Sequence, residues 1–209
     1  MNDRYFRDRP FQRELHRAKQ GSLDTRSAPG DHIQAAPTSA IICDMTSAVS
    51  VEELSEDQWP RYRDIRIAAL ESDGHAFGSS LEAELRYTEA EWRSKARQYV
   101  GIIASVASED IGFMTVENLK GDFGATSWIG NCWVHPDYRQ HGALRALFHF
   151  IDLQATERNW KKQGLGVWID NEPAIKAYEK IGFVTMGEPE ESTRKPGLFY
   201  QRMIRDAVI

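Results

Sequence analysis

Residues with chemical potential gather between Trp128 and Phe183. An apolar stretch ending at Val134 leads into Arg139-Gln140-His141-Gly142-Ala143-Leu144, and that loop opens into an amphipathic helical pattern. The first N–H groups of a helix have no internal acceptor, and its dipole concentrates positive charge there. A turn of this kind suits an anion, best a phosphate or pyrophosphate. Gly142 lets the backbone approach the anion without a Cβ in the way. Similar turns occur in proteins that bind nothing, so the loop alone does not decide the chemistry. Further along, Asn171, Ala174, Tyr178, Gly182 and Phe183 are spaced as N-x-x-A-x-x-x-Y-x-x-x-G-F.

Taken with V-x-P-x-x-R-x-x-G from Val134 to Gly142, this pair resembles the GCN5-related N-acetyltransferase (GNAT) superfamily. The resemblance covers roughly Val49 to Arg205 and is strongest from Trp133 to Phe183, where the two motifs stand in the family's order and at about its spacing. The family's loop reads Q/R-x-x-G-x-G/A. Arg139 and Gly142 match it, and Leu144 departs where a small residue is usual.

The resemblance implies an α/β fold: a mixed, mostly antiparallel sheet with helices on both faces. It implies acetyl-CoA as cosubstrate and acetyl transfer to a primary amine by direct attack, which needs no covalent enzyme intermediate. The main chain of Trp133 and Val134 is expected to meet the pantetheine arm as an added strand would. The N–H groups of Arg139, Gln140, His141, Gly142, Ala143 and Leu144 are expected to meet the pyrophosphate. Asn171 would cap its helix and touch the cofactor arm, with Ala174 on the same helix face. Tyr178 matches the family's general acid, and a phenol can give a proton or hydrogen bond to a departing thiolate. The other reading of Tyr178 is a core aromatic packed on the sheet.

The general base is not identified. Glu82, Glu84, Glu117, Asp122 and His135 are candidates by type. Cys132 reads as a small buried apolar residue rather than a nucleophile. No His/Cys/Asp spacing suggests a metal site. A non-catalytic acyl-CoA-binding regulatory domain stays open, as does a generic phosphate-binding α/β module. The acceptor could be a polyamine, an aminoglycoside-like drug, an amino acid, or a protein N-terminus or lysine. Phe77 and the acids Glu71, Asp73, Glu82 and Glu84 tilt the choice towards a small cationic amine.

The elements that must carry these residues follow from pattern. The 209 residues are 41% hydrophobic and 27% charged, with a net charge of -5, as for one soluble globular domain. That charge disfavours nucleic acid and anionic membranes as partners. Two cysteines, Cys43 and Cys132, fit a reducing cytosol, and a cytoplasmic enzyme is expected. No apolar run reaches membrane-spanning length. A homodimer is compatible with the family.

Residues 1–46 mix charge, Ser and Pro without a hydrophobic period and read as a disordered extension before a domain over 47–209. Met45 is an alternative natural start. Strands are expected at Ala48–Leu54, Tyr99–Ala107, Ile111–Glu117, Ala125–Val134, Leu165–Ile169, Phe183–Gly187 and Leu198–Arg205. Alternation along Ala125–Val134 puts Cys132 and Val134 with Trp128, and Trp133 with Ile129. Capping boxes at Ser55–Gln58 and Thr88–Glu91 start two helices, the first stopping near Gly74. A third helix runs from the loop to about Lys162, with Gly164 in the turn after it. The last helix has Pro173 near its first position and ends at Gly182.

Overall fold

The computed structural model describes residues 49–208. The expectations for residues 1–46 and for Cys43 lie outside the described residues. Ser47–Ile209 forms one compact unit. Its strands are β1 (Ser50–Glu53), β2 (Val100–Val106), β3 (Glu109–Asn118), β4 (Ser127–Val134), β5 (Lys162–Trp168), β6 (Val184–Glu191) and β7 (Phe199–Asp206). Its helices are α1 (Trp59–Asp73), α2 (Leu81–Glu84), α3 (Glu89–Gln98), α4 (Ala143–Leu153) and α5 (Glu172–Ile181). The strands form one sheet in the order β1-β2-β3-β4-β5-β7-β6. Only β4 and β5 run parallel, joined through α4; every other neighbouring pair is antiparallel. This is the mixed, mostly antiparallel α/β sheet that the sequence implied.

Helices cover both faces. On one face Ile102, Met114, Ile129, Leu165 and Met203 pack under Leu147, Phe148 and Ile151 of α4, and α5 adds Ala174, Ile175 and Tyr178. On the other, Ile103, Phe113 and Trp133 pack against Tyr62, Ile65 and Ala69 of α1 and Trp92 of α3. Thr88 caps α3 as its sequence suggests, its own N–H donating to Glu91 Oε2 at 2.7 Å. Among the described residues, no helix is long and apolar enough to cross a membrane.

Several boundaries differ from expectation. The helix expected to reach Lys162 stops at Leu153, and the chain turns back through Ala155, whose N–H donates to Asp152 O. The strand that follows therefore begins at Lys162, and Gly164 lies inside it rather than in a turn. That glycine makes room for a ring: a Cβ at Gly164 would come within 2.6 Å of the Trp128 indole. Gly74 does not stop its helix in a left-handed turn; it leads into one 3₁₀ turn over Gly74–Ala76. Strand β6 is longer than its apolar pattern, because a bulge with Gly187 at φ 68° lets Glu190 and Glu191 rejoin β7 opposite Tyr200 and Phe199.

The correction with most consequence is in β4. Partners jump from Phe113↔Trp133 to Thr115↔Gly130, so β4 holds one extra residue, and Asn131 takes φ 52°. A bulge reverses the alternation beyond it. Ile129 therefore shares its face with Cys132 and Val134, while Trp133 falls on the α1 side.

Candidate active site

Pairing between β4 and β5 is short. It runs Ser127↔Gln163, Trp128↔Gly164 and Ile129↔Leu165, then stops, although β4 continues to Val134 and β5 to Trp168. The two parallel strands thus part beyond Ile129 and leave backbone groups facing a gap. The bulge at Asn131 sits in this parted segment.

Tyr178 stands at the wall of the gap. It lies one turn after Ala174 on α5, half-buried, with its ring edge-on to Phe148 (6.3 Å) and Phe183 (5.8 Å). Its hydroxyl lies near the thiol of Cys132 on β4, close enough for each group to perturb the other's titration. Burial, and secondarily the neighbouring Cys132, push the phenol well above its ordinary pKa, so it stays protonated through the neutral range. Burial likewise pushes the Cys132 thiol up to about 12, only partly offset by the nearby Tyr178 hydroxyl. A thiol so rarely ionised is a poor nucleophile.

At the open end of the gap the loop has the form its sequence suggested. Gln140 (φ 67°) and Gly142 (φ 89°) are left-handed, and Gly142 precedes the first residue of α4. The first helical hydrogen bond is Ala146 N–H to Gly142 O at 2.9 Å. The N–H groups of Ala143, Leu144 and Arg145 therefore lack intrahelical acceptors. Gln140, His141 and Gly142 are exposed, and Ala143 is buried. Leu144, the departure from the family's small residue, is half-buried and packs against the main core.

Not every expected contact is arranged as the motif implied. His135 N–H donates to Ile111 O at 2.8 Å, and antiparallel alternation then turns the Trp133 main chain towards β3. Its carbonyl lies against Gly112. The Val134 main chain faces the gap instead, but its carbonyl already accepts Arg139 Nε at 3.0 Å. Arg139 also pairs with Asp73 at 2.5 Å, so its charge is turned away from the loop's N–H groups. Asn171 caps α5, its Oδ1 accepting Ala174 N–H at 3.2 Å.

Two of the acids expected to suit a cationic amine, Asp73 and Glu84, have internal partners. Glu84 is buried and forked by Arg66, at 2.9 Å from Nη2, and the guanidinium stacks 4.5 Å over the buried Phe77. Asp73 accepts from Ser72, Trp133 and Arg139. Burial opposes its charge, yet these three donors together hold the carboxyl below its ordinary pKa. Glu82 pairs with Arg86 on the surface.

Of the remaining base candidates, Asp122 pairs with Arg202 at 2.8 Å, and His135 Nδ1 accepts from Asp137 N–H. Glu117 differs. It sits on β3 opposite Trp128, where β4 and β5 are still paired, lines a cavity of about 320 Å³ with Arg97, Tyr99 and Asn118 and no residue of β4 or β5, and has no ion pair among the described residues. Burial raises its pKa with nothing to offset it. Its lack of an ion pair depends on tertiary placement, which no local signal in the sequence carries.

Residues 51–183 match the sequence model of the Acetyltransferase (GNAT) family. The chain belongs to that family. A protein described as acetyltransferase SG1711 from Sodalis glossinidius (strain morsitans) is 34% identical over 82 residues, 39% of this chain and 55% of that protein. The chain thus spans about half the length of this curated relative. Among solved structures, a GNAT-family acetyltransferase from Streptococcus pneumoniae superposes with TM-score 0.62 at 14% identity, over 77% of this chain and 99% of that one. yncA from Salmonella typhimurium, solved with its cofactor acetyl-CoA, gives 0.60 at 15%, over 77% and 95%. The ribosomal-protein-S18-alanine N-acetyltransferase from Escherichia coli gives 0.54 at 18%, over 77% and 95%. At these identities the likeness is one of fold.

Proposed function

We propose that this protein transfers an acetyl group from acetyl-CoA to the nitrogen of an amine by direct attack. The observation that carries the reading is Tyr178: a phenol on α5 that burial keeps protonated, standing near Cys132 in the segment of β4 that has parted from β5. The donor's pantetheine would run along the parted edge of β4 past Val134, and its pyrophosphate would meet the N–H groups from Gln140 to Leu144. The donor supplies an acyl group on a good leaving thiolate. As the amine nitrogen bonds to the carbonyl carbon, the C–S bond breaks, and Tyr178 gives the sulfur a hydrogen bond or proton. Asn171 and Ala174 would border the donor arm from α5.

The attacking amine must lose a proton, and Glu117 is the candidate acceptor for it through water. Its charge, in no ion pair among the described residues, also favours an amine that is cationic at rest, which keeps a small cationic acceptor as the substrate class. A base must be ionised to act, and burial raises the pKa of this carboxyl above its ordinary value. The rise of kcat/KM with pH is therefore expected above the ordinary glutamate range. Glu117→Gln should lower kcat/KM about a hundredfold and remove that acidic limb. An unchanged pH profile in the variant would exclude Glu117 as the base.

The donor assignment is tested by thermal unfolding with acetyl-CoA, CoA and ATP. A ligand at about a hundred times its Kd stabilises by roughly 2.7 kcal/mol, a readable rise in Tm. Acetyl-CoA and CoA are expected to raise Tm and ATP to leave it unchanged. No rise with either CoA form would overturn the donor assignment.

A further inference from the structure

One carboxylate ties together three parts of the molecule that meet at the loop. Asp73 is the last residue of α1 and half-buried. Its Oδ2 accepts Ser72 Oγ at 2.7 Å, Trp133 Nε1 at 2.8 Å and Arg139 Nη2 at 2.5 Å. Trp133 is near the end of β4, and Arg139 is the first residue of the loop motif. Arg139 spans back to Val134 O as well. The end of the strand, the start of the loop and the end of α1 are therefore held on one oxygen. The loop beyond Arg139 needs such an anchor. Gln140 is left-handed without being glycine, a conformation that persists only where its surroundings impose it.

We propose that Asp73 is a positioning residue for the donor's pyrophosphate, acting through Arg139 to hold the Gln140–Leu144 N–H groups in their anion-binding arrangement. In this role the Arg139 charge is spent on Asp73, and the loop's main chain does the binding. The inference rests on the acetyl-CoA reading above.

Asp73→Asn keeps the size and an accepting oxygen and removes the charge that holds Arg139. The test compares two donors, acetyl-CoA and S-acetylpantetheine, which lacks the pyrophosphate. D73N is expected to raise KM for acetyl-CoA about tenfold and leave KM for S-acetylpantetheine and kcat with either donor unchanged. R139Q should show the same selectivity, and the D73N/R139Q double variant should lose no more than the worse single one, because the two act as a unit. A general loosening of the fold would weaken both donors alike, and that outcome overturns the proposal. So does an unchanged or improved KM for acetyl-CoA, which would mean that Asp73 merely restrains a cation. If D73N does not fold, R139Q, altered at a partly exposed side chain, reads the same clamp from its other end. Failure of the wild-type protein to bind acetyl-CoA would instead sink the donor assignment itself.

Discussion

Tyr178→Phe is expected to lower kcat by about a hundredfold or more while leaving the Kd for acetyl-CoA within about twofold, since a positioned general acid contributes typically 10²–10⁴. The substitution removes one oxygen and keeps the ring that packs edge-on to Phe148 and Phe183. The fold should hold, and a denaturation midpoint checks it. The lost group is the hydroxyl that lies near the Cys132 sulfur. Burial keeps that phenol protonated well past neutral pH, a first requirement of a donor. The same burial makes full proton release costly in the resting site. The phenol then acts best as sulfur gains charge, because a hydrogen bond to an ionised partner is about twice as strong as a neutral one. A consequence is that no limb of the pH–rate profile near neutrality should belong to Tyr178. Release of free thiol from acetyl-CoA in the presence of an amine panel measures kcat. Wild-type rates in Y178F would exclude the hydroxyl from the chemistry and return Tyr178 to the core.

The features legible in the sequence were those written in consecutive residues. The strand-to-helix turn needs one strand end, one glycine and one helix start, all within Val134 to Leu144. The Asn171 cap and the placement of Tyr178 one turn after Ala174 are set by helical spacing alone. Features made across the sheet were not legible. Alternation places Trp133 beside Ile129 until one extra residue at Asn131 reverses it, and a bulge has no reliable signature in a single strand. The acids between 71 and 84 look like a substrate wall when only their charge is known. For Asp73 and Glu84 the partners Arg66, Trp133 and Arg139 come from elsewhere in the chain, and pairing commits these two to internal contacts, whereas Glu82 stays on the surface with Arg86. Glu117 gained interest for the inverse reason: tertiary structure half-buries it and gives it no ion pair among the described residues. Charge type is a local property and charge availability is not.

Asp152→Ala is expected to destabilise the protein by about 3–5 kcal/mol, the usual cost of leaving a buried charge without its partner. Asp152 on α4 and Arg205 on β7 are both under a tenth exposed and pair at 2.7 Å. Gln163 on β5 completes the network, accepting from Arg205 Nε at 2.9 Å and donating to Asp152 Oδ1 at 2.9 Å. Burial lowers the Arg205 pKa despite the attraction of Asp152, a sign that desolvation weighs heavily here. Without the carboxylate, the guanidinium keeps Gln163 and the Ile181 carbonyl at 3.4 Å, and no counter-charge among the described residues replaces it. Asp152→Asn, which keeps an acceptor, should cost about half as much. Replacing both charges by apolar residues of similar volume should cost less than D152A, since it removes the orphaned cation as well. Urea denaturation of the three variants separates these cases, and a D152A loss below about 1 kcal/mol would show that Arg205 finds water instead. The effect should reach function. Arg205 lies 4.7 Å over Phe148 and 5.4 Å over Phe183, the two rings that brace Tyr178, and it holds the last turn of α5 through Ile181. Asp152 holds the far end of α4, whose first turn follows the anion loop. One buried cation therefore fixes both helices that border the β4–β5 gap. D152N at a temperature where it remains folded should lose kcat through Tyr178 more than it loses donor affinity through the loop.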